Sequence, residues 1–117
     1  MKSVGIPGEA VVIVKQASPS EFFFTLRSRA NAVLLSGGPI AHDGDLQSAV
    51  GAVVERCASE DAYRIEKTAD GNVLEVLDAQ GNVVGRSDSI ATEPLTKAML
   101  RLVPGQARRA YIVKDGV

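Results

Sequence analysis

The run PIAHDGD, residues 39–45, holds the one histidine of the chain, His42, beside Asp43 and Asp45. Imidazole next to carboxylates is raw material for a metal centre or an acid–base pair. Here the spacing fits no ligand pattern. Asp43-Gly44-Asp45 opens like a calcium loop, but Leu46-Gln47-Ser48 does not continue it and no closing Glu follows. Helix geometry explains both acids: Asp43 reads as an N-cap, and Asp45 in the first turn complements the helix dipole. Cys57 falls on an apolar helical stripe, where a thiol is packed and inert. Ser36-Gly37-Gly38-Pro39 is glycine-rich but lacks the Lys-Ser/Thr of a phosphate loop. No nucleophile motif appears. No catalytic, cofactor or metal residues are assigned.

The arginines suggest binding. Phe23, Thr25 and Arg27 alternate along one strand, on the side away from its apolar face, and Val33 adds an apolar residue nearby. A sheet face carrying an aromatic among arginines can stack bases. Weak nucleic-acid binding through Arg27, Arg29, Arg108 and Arg109 is therefore one reading. A net charge of −1 argues against it, because phosphate neutralisation calls for a basic excess. The preferred reading is an interface formed by Phe23, Thr25, Arg27 and Val33, most simply with a second copy of the chain.

The elements that place these residues follow from periodicity. AVVIVK (10–15), EFFFTLR (21–27) and AVLLS (32–36) read as strands. Leu46, Ala49, Val50, Val53, Val54 and Cys57 recur as one face of a helix. Gly51 lies inside it, read as allowing close packing on the sheet. A second set follows: AYRIEK (62–67), an Asp70-Gly71 hairpin turn, VLEVLD (73–78), a Gly81-Asn82 turn and VVGRS (83–87). The second helix is capped by Thr92, has Pro94 in its first turn, and is expected to end at Pro104-Gly105. Its stripe reads Leu95, Ala98, Met99, Leu102 and Val103. The hairpins match at a shift of 50 residues and the helices at 49. Residues 105–117 form a last strand or tail.

The order βββα, twice, over about residues 10–57 and 62–104, implies one α+β domain. A three-stranded meander must bury its apolar side. The expected arrangement is one shared antiparallel sheet with both helices on one face and the halves related by a pseudo-twofold. FTLRSRANAVLL (24–35) and, more faintly, LEVLDAQGNVVG (74–85) are similar to the F-x-L-x-A-x-N-G-x-x-L hairpin of the YegP-like family, whose repeat has this order. The resemblance implies the fold and brings no catalytic residues and no activity.

The bulk numbers agree. A chain of 117 residues with 45% apolar and 23% charged residues can bury one core without staples. One cysteine excludes an internal disulfide, so a cytoplasmic setting is expected. No apolar run is long enough to span a membrane. The expected role is a non-catalytic interaction module. A small enzyme with carboxylate chemistry is the remaining alternative, and it would need a concave pocket.

Overall fold

The computed structural model describes residues 10–42 and 44–115. Its strands are β1 (Val11–Ser18), β2 (Glu21–Arg27), β3 (Val33–Gly37), β4 (Tyr63–Thr68), β5 (Gly71–Leu77), β6 (Val83–Arg86) and β7 (Tyr111–Asp115). The helices are α1 (Leu46–Cys57) and α2 (Glu93–Arg109), and a 3₁₀ turn at Glu60–Ala62 leads into β4. The strands form one sheet in the order β4-β5-β6-β3-β2-β1-β7. All pairs are antiparallel except β1–β7, which is parallel, so the sheet is mixed. The expectation of a purely antiparallel sheet fails at β7. β7 is reached from β6 through α2 and not through a tight hairpin from β1, so no turn forces it to run against its neighbour; it runs opposite to β6 and therefore along β1.

Strand alternation divides the sheet, apart from irregularities in the β1–β2, β2–β3 and β5–β6 pairs. Val12 and Val14 of β1 stand opposite Leu26 and Phe24 of β2, and Leu26 stands opposite Leu35 of β3. These residues, with Leu74 and Val76 of β5, are fully or almost fully buried. Val50 and Cys57 of α1 and Val103 and Ala107 of α2 join the same cluster. Both helices therefore cover one face. No described helix lies on the other face.

The two inner hairpins turn by the same bonds. In β2–β3, Ser28 N–H donates to the Ala32 carbonyl (2.9 Å) and Asn31 N–H to the Ser28 carbonyl (2.8 Å). In β5–β6, Asp78 N–H donates to the Asn82 carbonyl (2.8 Å) and Gly81 N–H to the Asp78 carbonyl (3.1 Å). Asn31 and Gly81 both have positive φ, 68° and 87°, which Asn and Gly tolerate best. The halves meet where β3 pairs β6 at one residue pair, Ser36 with Arg86. Close approach there requires glycine: a Cβ on Gly37 would sit 2.1 Å from the Val84 carbonyl oxygen.

Several local expectations are corrected. The α1 cap is Asp45, whose carboxylate accepts from Ser48 N–H (3.1 Å) and Ser48 Oγ (2.8 Å). Asp43, expected in that role, lies outside the described residues. Gly51 faces open space instead of the sheet, with nothing within 4 Å of a built Cβ. The β4–β5 turn is Ala69–Asp70, one residue earlier than expected, and Gly71 already pairs with Thr68. In α2, Thr92 caps and Pro94 sits in the first turn as expected. Its buried stripe, however, is Thr96, Val103, Pro104 and Ala107 with Met99 and Leu100 partly covered, whereas Leu95 and Leu102 are about half exposed. The helix also runs through Pro104-Gly105 to Arg109. Burial of Pro104 and Ala107 offsets the one helical hydrogen bond that proline removes.

Candidate functional site

The uncovered face is built by alternation alone. In β2, Phe22, Phe24 and Leu26 point to the core, and Phe23, Thr25 and Arg27 point away. Pairing then aligns a row across all seven strands: Val113, Ile13, Thr25, Ser36, Arg86, Glu75 and Arg64. A second row holds Tyr111, Val11, Arg27 and Val33. Phe23 and Val33 are 37% and 38% exposed. The first half of this face is thus mainly apolar and the second half charged.

Glu75 organises the charged half. It is buried, although it projects from the uncovered face. Its Oε1 accepts from Arg64 Nε (3.0 Å) and Nη2 (2.6 Å). Its Oε2 accepts from Arg86 Nε (3.1 Å) and Nη2. The hydrogen bonds from Arg64 and then Arg86 hold the carboxyl below its ordinary range, against the opposing effect of burial. The same bond, aided by the charge of Glu75, raises Arg64. Each guanidinium spends two of its five donors on Glu75 and keeps the rest toward solvent.

Among the described strand positions, charges on this face balance. Lys15, Arg27, Arg64 and Arg86 are matched by Glu21, Glu66, Glu75 and Asp115 on strand positions of the same side. The arginine set Arg27, Arg29, Arg108 and Arg109 is not gathered into one patch. Arg27 faces the open side and donates through Nη1 toward the Asn31 carbonyl and Oδ1, both at 3.4 Å. Arg29 is exposed in the β2–β3 turn. Arg108 and Arg109 end α2 in the other layer, and Arg108 Nη2 donates to the Ala58 carbonyl at 2.9 Å.

Of the residues weighed for chemistry, His42, Asp45 and Cys57 have structural employment. His42 packs edge-on to Phe22, with ring centroids 5.3 Å apart, and its Nδ1 accepts from Gly44 N–H at 3.3 Å. Among the described residues, no three His, Cys, Asp or Glu side chains converge on a possible metal position. Cys57 is buried, and desolvation pushes its thiol up to about 12. Its carbonyl accepts from Tyr63 Oη at 2.6 Å. No described helix is long and apolar enough to cross a membrane.

A mixed sheet in this strand order, backed on one side by two helices, defines an α+β protein of the YegP-like fold. Two solved structures share it. The solution structure of the YegP protein of unknown function from E. coli superposes with a TM-score of 0.77 at 14% identity, over 96% of this chain and 97% of that one. A UPF0339 protein from Shewanella oneidensis gives 0.74 at 15% identity, over 91% of each chain. No family model and no curated protein sequence matches the chain. The expected resemblance holds at the level of fold.

Proposed function

We propose that this chain is a non-catalytic interaction module whose uncovered sheet face takes a second copy of itself, with Phe23, Thr25, Arg27 and Val33 at the centre of the contact. The observation that carries the reading is the placement of both helices on one face, which leaves Phe23 and Val33 exposed on the other. Apolar side chains grouped on a surface favour association. Balanced charge on the same face suits a self-complementary contact, because like-charge repulsion between two copies is limited.

Weak nucleic-acid binding has less support. The balanced face offers little counterion release, and Arg108 is already engaged with Ala58. Sedimentation at tens of micromolar, with and without Phe23→Glu, tests the main reading. The unaltered chain is expected to dimerise, and the variant to be a folded monomer by circular dichroism. A strict monomer for the unaltered chain refutes self-association, and a gel shift that weakens steeply with salt would favour the nucleic-acid alternative.

A further inference from the structure

Two depressions meet where β3 and β6 part. Ser36 and Arg86 are the one pair joining these strands, and Gly37 still lies against Val84; from Gly38 the chain turns off toward β2, where Ile40 N–H donates to the Phe22 carbonyl (2.7 Å). On the helix side lies a cleft of about 520 Å³ between α1 and the Asp78–Asn82 turn, walled by Ile40, Ala49, Ala52 and Val53. On the uncovered side lies a depression of about 320 Å³ floored by Ser36, Gly37 and Arg86. Gly38, Val83 and Val84 line both, so the two adjoin at the strand ends, and we take them together as one groove. The larger cleft falls within the roughly 300–1,000 Å³ usual for small-ligand sites.

The ends of this groove differ in charge. At the α1 end stand Glu55, Arg56 and Asp78. Arg56 is spent on backbone there, donating through Nε to the Leu77 carbonyl (2.7 Å) and through Nη2 to that of Asp78 (3.3 Å). The Asp78 carboxylate accepts from Gln80 and Asn82 N–H, each at 2.9 Å, and stays ionised. At the other end Arg86 is held by the buried Glu75 through Nε and Nη2, which leaves its Nη1 side open beside the exposed Ser36. Glu66 acts on Arg64, one strand further out, and is not among the residues lining the groove.

We propose that this groove binds a monocarboxylate with an apolar chain, the chain lying against Ala49, Ala52 and Val53 and the carboxylate on Arg86 and Ser36. At the α1 end the two acids Glu55 and Asp78 outnumber the one cation, Arg56, whose Nε and Nη2 are taken by backbone carbonyls, and so disfavour a carboxylate there and fix the direction of entry. A guanidinium already anchored on one edge loses little freedom when it takes a second carboxylate on another. The site does not depend on self-association.

The test is amide-resolved NMR titration with decanoate below its micelle concentration, beside decanol and acetate. Decanoate is expected to shift Gly38, Val83, Val84, Arg86 and the Ala49–Val53 amides. Decanol should bind at least tenfold more weakly and acetate should leave these signals unmoved. Ala52→Phe, at an exposed position of α1, should weaken both ten-carbon probes at least tenfold. Ser36→Asp should weaken decanoate at least tenfold and leave decanol unchanged. Equal affinity for decanoate and decanol, shifts centred elsewhere, or indifference to Ala52→Phe would overturn the proposal.

Discussion

Glu75 shows what one side chain can do to a surface. A carboxylate on the outer side of a sheet ordinarily stands in water, yet two arginines close over this one. Both arginines are about half exposed, so removing the acid lets them return to solvent. Glu75→Gln is therefore expected to cost about 1–2 kcal/mol near neutral pH, less than the roughly 3–5 of a fully buried pair. Arg64 and Arg86 hold the folded carboxyl below the ordinary glutamate value of 4.5. Its stabilisation is complete above that value and fades as pH falls through the folded pKa. Thermal melts should show the unaltered protein and Glu75→Gln far apart at neutral pH and converging in acid. A gap that ignores pH would mean the pair contributes nothing. Composition does not reveal this cluster. Placing the turn at Asp70-Gly71 sets Glu75 opposite Glu66, whereas the true turn at Ala69–Asp70 sets it opposite Arg64. A one-residue error in a hairpin turn thus hides the ion pair, while the outward set Phe23, Thr25 and Arg27 survives because it needs only alternation within one strand.

The two helices differ in how openly they display their buried sides. In α1 the inward residues are all apolar or Cys57, and the periodic stripe is the packed one. In α2 the inward side contains Thr96 and Pro104, and two leucines sit outside. Thr96 satisfies its hydroxyl by donating to the Thr92 carbonyl at 2.7 Å, so it can be buried like a valine. Val50, Val53, Val54 and Cys57 correspond in burial to Thr96, Met99, Leu100 and Val103, forty-six residues on, and not forty-nine. Pattern reading follows the leucines and turns the helix too far. Truncation distinguishes the two orientations. Val103→Ala should destabilise by about 2 kcal/mol, and Leu102→Ala, although it removes more side chain, by under about 0.5. Chemical denaturation measures both, and the reverse ranking would show that the helix is packed on its leucine side.

At the scale of the molecule, two adjacent three-stranded sheets and a last strand at the edge are foreseeable from the order of elements, because each meander needs a covered face. The parallel seat of β7 beside β1 is not, since a short strand carries no mark of its partner's direction. Nor does the chain's order disclose which half each helix serves. α1 follows β3 in sequence, yet Arg56 fastens it to the carbonyls ending β5. Tyr63 of β4 grips its last turn at Cys57, and Arg108 of α2 reaches the Ala58 carbonyl.

Those three ties lash the start of the molecule to its end more firmly than the single Ser36–Arg86 pair does. A chain cut after Ala58 should therefore give two peptides that are each unstructured alone yet reassemble when mixed, with circular dichroism and a native NMR spectrum returning together. Independent folding of either peptide would mean that the halves are neighbours and not mutual scaffolds. Complementation that disappears with Arg56→Ala would locate the knot in α1.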